Sequence, residues 1–204
     1  MLLLLDYLRN DDIKVLQTKD GECILPILKN GSQSLHRLAK KYPMEYQFIP
    51  LDSSVKKVTV FLRDPIERFC SGLNTQSQLY SIDISVLLER ISNGKIPIID
   101  DHILPQFYFL LRIPLRRIKF SFKSISELNQ LKNIEHINQS KNNINLSQTL
   151  KNRIRHFLTD DAILYDKFLD NNAMLHTVIN EIKKESNYIK DIKYFDRVVK
   201  LYME

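Results

Sequence analysis

Two short stretches of the chain carry side chains suited to holding anions. The first is ILPILKNGSQSLHRL (24–38), where an apolar run meets Lys29, Asn30, Gly31, Ser32, Gln33 and Ser34 before Leu35. A run that ends in a tight turn and restarts as a helix leaves the first amides of that helix without intrahelical acceptors. With the helix dipole, those amides favour a negative group. Gly31 permits close backbone approach, Ser32, Gln33 and Ser34 add side-chain donors, and Lys29 places a compact positive charge at the mouth of the loop. The same residues also suit a plain strand–turn–helix corner with a surface lysine. The stretch is not a Walker A loop, because the lysine precedes the glycine and the first glycine of that pattern is missing.

The second stretch is FLRDPIERFCSGL (61–73). Asp64, Pro65 and Glu67 read as N-cap, N1 and N3 of a helix, which accounts for them structurally. Arg63 is left over, just before the cap. Ser71 lies seven residues past Asp64, two turns or about 10 Å along the axis, and returns to the same helix face. A guanidinium donates two parallel hydrogen bonds to a phosphate, and a hydroxyl can add a third. The plain alternatives are a surface ion pair for Arg63 and a filler serine at 71.

The elements expected to position these groups alternate. Apolar, β-branched runs occur at 23–28, 56–62 and 116–122, with a weaker one at 134–138. Helical patterns follow at 35–42, 65–79, 85–92 (ended by Asn93-Gly94) and 124–132. From Ser147 the chain reads as helical to its end, with Ser147 and Thr159 as N-caps. The start, MLLLLDYLRN, reads as a peripheral helix within residues 1–20 rather than a signal peptide: it lacks a basic leading region and is interrupted by Asp6. Strand–helix alternation implies α/β architecture with a mostly parallel sheet covered on both faces. Ligands of such sheets bind outside the carboxyl ends of the strands, where both polar loops fall. Residues 139–148, rich in Asn, Ser and Lys, are expected to form a mobile loop.

A chain of 204 residues suits one domain, 1–204. With 44% hydrophobic and 26% charged residues it has the composition of a globular protein. The net charge of +6 suits anionic partners (nucleotides, nucleic acid, glycans or membranes) without choosing among them, and its spread along the chain weakens the nucleic-acid reading. Two cysteines without a C-x-x-C spacing give no zinc motif and read as free thiols in a reducing compartment. No segment has transmembrane length, and a cytoplasmic location is expected.

Together LKNGSQSL (28–35) and RDPIERFCS (63–71) resemble the 5′-phosphosulfate loop and the 3′-phosphate motif of the PAPS-dependent sulfotransferases, most closely their carbohydrate-type branch. The R-D-P-x-x-R-x-x-S pattern is matched at Arg63, Asp64, Pro65, Arg68 and Ser71. The first loop departs from the usual P-K-x-G-x-[ST]-[ST], with Leu28 before the lysine and Gln33 where a hydroxyl is common. DDHILPQF (100–107) is similar to an H-x-x-P-Q element, and EHINQSKNN (135–143) and LTDDAILYDKFL (158–169) to later segments, so the likeness spans about 23–170.

The resemblance implies a three-layer α/β sandwich of the P-loop-kinase type and metal-independent sulfuryl transfer from 3′-phosphoadenosine 5′-phosphosulfate (PAPS) to an acceptor hydroxyl. The acceptor class it implies is a glycan or small molecule. Lys29 would stabilise charge on the bridging oxygen. Lys29, Asn30 and the amides of Gly31, Ser32, Gln33, Ser34 and Leu35 would hold the 5′ end, and Arg63 with Ser71 the 3′-phosphate. His102 is the first choice of general base and His36 the second, because histidine titrates nearest neutrality. Glu45 and Glu67 remain carboxylate alternatives. Arg68 stays open between a ligand contact and an ion pair. The acceptor walls are expected in 72–104 and 139–148. Two other classes stay in play: a nucleotide kinase of P-loop type, and a non-catalytic binder of nucleic acid or glycan.

Overall fold

The structure, a computed structural model, describes residues 13–96, 100–111, 118–134 and 144–169. The chain divides into two compact units where the sequence suggested one. The first comprises residues up to Arg63 together with 108–139. The second comprises 64–107 and the chain from 140 onward.

The first unit is built on a five-stranded mixed sheet. Its strands are β1 (Lys14–Thr18), β2 (Cys23–Leu25), β3 (Tyr46–Pro50), β4 (Lys57–Leu62) and β5 (Lys119–Ser124), in the order β3-β1-β2-β4-β5. β4 runs parallel to both β2 and β5, with Leu25 level with Val60 and Leu62 with Ser124. β1 is antiparallel to β2 and β3. The sheet is therefore parallel only over the β2-β4-β5 half.

The expected N-terminal helix is corrected where it can be seen. Residues 14–18 are β1, joined to β2 by a tight turn through Asp20-Gly21. Residues 1–12 lie outside the described residues, as do most of the weak strand expected at 134–138 and the helix expected beyond Leu169.

β4 is a continuous apolar run because both its faces leave solvent. Val58, Val60 and Leu62 are buried on one face, and Phe61 on the other. Phe61 packs with Leu16 and Ile24 of the sheet, and with Leu35 and Leu38 of helix α1 (Ser32–Lys41). Each such side chain stabilises the fold by about 1.5–3 kcal/mol on burial. The polar member of the run, Thr59, donates its hydroxyl to Glu22 Oε1 (2.7 Å), and Lys123 reaches the same oxygen (3.2 Å). The helix expected at 124–132 is a short 3-10 helix, Ile125–Gln130. Ser124 and Glu127 form a capping box at its start, and Leu128 packs in the α1 core.

The second unit is helical. α2 (Pro65–Tyr80) starts at Asp64, whose carboxylate accepts from the Glu67 amide. α3 (Ile84–Ser92), the 3-10 turn Asp101–Ile103, the first two residues of α4 (Gln106–Leu111), α5 (Gln148–Phe157) and α6 (Thr159–Leu169) follow. Phe69 and Leu73 of α2 meet Leu87 and Ile91 of α3, Ile103, and Ile154 and Leu158 at α5 and its end. Ser147 caps α5 as the sequence suggests. Thr159 does not act as a cap: its hydroxyl donates back to the carbonyls of His156 and Arg155. Among the described residues no helix is long and apolar enough to cross a membrane.

Gly72 decides how closely the 3-10 turn seats on α2. A Cβ there would lie 2.4 Å from the His102 carbonyl oxygen and 2.7 Å from Ile103 Cγ2. In an open helix Gly→Ala is stabilising by up to about 1 kcal/mol. At this contact backbone must move, so Gly72→Ala is expected to destabilise by about 1–3 kcal/mol in urea unfolding. A gain in stability would show that the turn does not rest on this face.

Candidate functional site

The loop after β2 is shaped by two left-handed residues. The Asn30 amide donates to the Ile27 carbonyl (3.0 Å), closing a turn in which Lys29 sits at φ 66° and Gly31 at φ 81°. A left-handed lysine costs about 1 kcal/mol or more and persists only when its surroundings impose it. Two contacts impose it here. Asn30, 2% exposed, donates from Nδ2 to the Phe61 carbonyl at 2.8 Å, tying the loop to the end of β4. Gly31 lies under Leu128, whose Cδ2 would be 2.5 Å from a Cβ at that position. The glycine expected to admit a ligand thus admits a leucine side chain.

Gly31 is the N-cap of α1, so the amides of its first turn, at Ser32, Gln33 and Ser34, have no acceptor within the helix. No acidic residue lies in that turn. The positive end of the dipole is therefore not neutralised from within the helix. The Leu35 amide, expected among the anion donors, donates instead to the Gly31 carbonyl (3.0 Å), and its side chain is core. Ser32 and Ser34 are buried, and Gln33 is exposed.

Arg63 stands half-buried immediately after β4. Asp64 serves the amides of α2, so the arginine is not needed there. β2 and β4 are adjacent and parallel, so the turn that carries Lys29, four residues past Leu25, and Arg63, the residue after Leu62, both follow the carboxyl ends of neighbouring strands. The Asn30–Phe61 bond connects the two strand ends directly. His36, by contrast, stacks on Phe48 of β3 (centroids 4.4 Å apart, planes at 26°), and burial lowers its pKa. Glu45 lies 3.8 Å from Lys132 Nζ.

The second unit holds Ser71, Arg68 and His102. Ser71 is on α2 and 8% exposed. Arg68, 1% exposed, donates from Nη1 to the Leu104 carbonyl, and its charge acts on Asp161 of α6. Asp161 is fully buried and accepts from the Gln106 and Phe107 amides, both at 2.8 Å, which fixes the start of α4. Three stretches singled out in the sequence, 63–71, 100–107 and 158–169, therefore meet at one buried polar node. Arg68 is a structural cation within it. His102 lies with its Nδ1 2.9 Å from Asp100 Oδ2. Asp100 also accepts at Oδ1 from the His102 amide and from Gln76 Nε2, each at 2.9 Å.

Sequence reasoning missed Asp100, Gln76 and Asp161 as organising residues. For Asp100 a signal existed: an Asp two residues before a histidine can bond its backbone amide. Gln76 and Asp161 lie 24 and 55 residues from the groups they bind, a separation local patterning does not report.

No protein-family model, no curated protein and no solved structure matches this chain.

Burial pushes the Asp161 carboxyl up to about 6, outweighing Arg68 and the two amides. An unfolded Asp releases its proton near 3.8. Asp161 therefore favours the fold fully below about pH 4, and its contribution is lost as the pH rises through 6. The expected decline from this group is of order 1–3 kcal/mol between pH 4 and 7.5. Asp161→Asn, though less stable at every pH, should lack it. Equal slopes for the two proteins in urea unfolding would contradict the assignment.

Proposed function

We propose that the protein transfers a sulfuryl group from PAPS to an acceptor hydroxyl, with the 5′ end of the donor on the Lys29–Ser34 loop and the 3′-phosphate on Arg63. The observation that carries this proposal is that the Lys29 turn and Arg63 follow the carboxyl ends of adjacent parallel strands, with the turn tied to β4 by the Asn30–Phe61 hydrogen bond. A bisphosphorylated nucleoside needs two cationic positions, and Lys29 and Arg63, both past the carboxyl ends of neighbouring strands, suit that role. The helix start between them lacks an acidic first turn, which fits an anion there. The motif likeness at 28–35 and 63–71 supports the same assignment, as does the α/β class. The finer fold that goes with it is the three-layer sandwich of the P-loop-kinase type.

The donor, once bound, supplies a sulfuryl group on a phosphate leaving group, displaced in line by the acceptor oxygen. The amides of Ser32, Gln33 and Ser34 would fix the 5′-phosphate. Lys29, already held in its left-handed conformation, would offset the charge that builds on the bridging oxygen. Such preorganised charge contributes more to the rate than to ground-state binding. Ser71 is assigned to the 3′-phosphate by its match to the motif, and His102 to the acceptor's proton. Arg68 and Leu35 have no ligand role. A glycan or small alcohol is the proposed acceptor class.

Titration with 3′-phosphoadenosine 5′-phosphate should show micromolar or tighter binding, well ahead of ATP with Mg²⁺. Lys29→Ala should lower sulfuryl transfer by about 10²–10³-fold while changing affinity for the bisphosphate less than about tenfold. Preferential ATP–Mg²⁺ binding would point instead to a nucleotide kinase. Loss of binding with no separate loss of turnover would mean that Lys29 only anchors. If neither nucleotide binds and duplex or glycan binding falls steeply with salt, the protein is a non-catalytic anion binder.

A further inference from the structure

The sheet has one end that the candidate site does not use. β2 and β3 are both antiparallel to β1 and so run parallel to each other, and β4 and β5 run the same way. Four strands begin at this end, opposite the carboxyl ends that lead to Lys29 and Arg63, and β1 finishes there. The register places its charges. Lys57 of β4 is level with Lys119 of β5, and Lys19, just past β1, donates its amide to the Glu45 carbonyl just before β3 (2.8 Å). α1 carries the chain from the carboxyl end of β2 to the start of β3, with Lys40 and Lys41 in its last turn. All five lysines are exposed. The carboxylates near them are Asp20, Glu22 and Glu45. Glu22 already accepts from Thr59 and Lys123, and Glu45 lies 3.8 Å from Lys132.

Fold stability accounts for some of these lysines and not for others. Lys40 and Lys41 offset the negative end of the α1 dipole, and a lysine on an edge strand such as β5 hinders aggregation. Neither reason reaches Lys57, because β4 has neighbours on both sides. Beside Lys119, on strands about 5 Å apart, it sets two like charges next to each other, which destabilises a sheet. That repulsion falls away when an anionic surface covers both. The kind of surface follows from two further features. The lysines are spread across a sheet end five strands and about 19 Å wide, which suits a flat partner. Beyond them, the turn before β3 carries Met44, 85% exposed. A soluble polyanion offers little to a thioether, whereas the headgroup layer of a bilayer takes an apolar side chain while its phosphates meet the lysines. β3 is a poor seat for an added peptide strand: Pro50 has no N–H, and the Tyr46 amide already donates to the Tyr42 carbonyl.

We propose that this end of the sheet docks on an anionic phospholipid surface, with Lys19, Lys57 and Lys119 against the headgroup phosphates and Met44 inserted among the headgroups. Lys40 and Lys41 extend the same contact at the end of α1. The docking does not rest on the sulfuryl-transfer reading, and it leaves the opposite end of the sheet, with Lys29 and Arg63, directed away from the bilayer.

The test is co-sedimentation of the full chain with vesicles of phosphatidylcholine alone and of phosphatidylcholine mixed with phosphatidylserine, at low and high salt. The protein should bind the mixed vesicles, bind the neutral ones about tenfold or more weakly, and lose affinity as salt rises. The double variant Lys57→Gln, Lys119→Gln should weaken binding by about 25-fold, at about fivefold per lysine, yet unfold at a higher urea concentration because the like-charge pair is gone. Met44→Ser should weaken binding by about threefold or more and leave its salt dependence unchanged. Equal binding to the two kinds of vesicle, binding to neither, or full affinity in either variant overturns the proposal. Capture by duplex DNA or heparin without capture by the mixed vesicles also overturns it, and would make this end a site for a soluble polyanion.

Discussion

The hydrogen bond from Asn30 to the Phe61 carbonyl is the constraint on which the candidate site depends. A neutral hydrogen bond contributes only about 1 kcal/mol net, but an abandoned buried carbonyl costs about 1–3 kcal/mol. The Phe61 carbonyl lies two residues before Arg63, and Asn30 follows Lys29 directly. One side chain therefore sets the position of one cationic loop against the strand that ends in the other cation. The left-handed Lys29 and the leucine seated over Gly31 follow from the same closed turn.

Around this bond the residues of the two stretches divide between those that build the scaffold and those left to the candidate site. Asp64 and Pro65 start a helix and leave Arg63 to the sheet edge. Arg68 goes inward to the Leu104 carbonyl and Asp161, where breaking a buried charge pair would cost several kcal/mol. Charged side chains of the helical unit join its own segments: the buried Asp161 holds the start of α4, and the exposed Arg153 donates to the Ile91 carbonyl at the end of α3.

Much of this was legible in the sequence because it is local. The β-branched run of β4, the Asp64-Pro65 start of α2, the Asn93-Gly94 stop of α3 and the Ser147 cap all follow from residues within a few positions of one another. β1 was misread because KVLQT has no clean two-residue alternation, and the Asp20-Gly21 turn that pairs it with β2 was overlooked. With β1 taken as helix, the sheet looked mostly parallel. The Leu35 amide, expected among the anion donors, is committed to the helix by the N-cap at Gly31. The bond from Gln76 to Asp100 and the close seat of the 3-10 turn on Gly72 involve residues that only the folded chain brings together.

The most direct test removes one phosphate from the ligand and one cation from the protein. Wild-type protein and Arg63→Ala would each be titrated with 3′-phosphoadenosine 5′-phosphate and with adenosine 5′-phosphate, which lacks the 3′ group. Arg63→Ala should weaken the bisphosphate by about 10- to 100-fold, the worth of a hydrogen-bonded charge pair, and the monophosphate by less than about twofold. Equal losses for both ligands, or none for either, would contradict the assignment of Arg63 to the second phosphate and with it the two-pocket site.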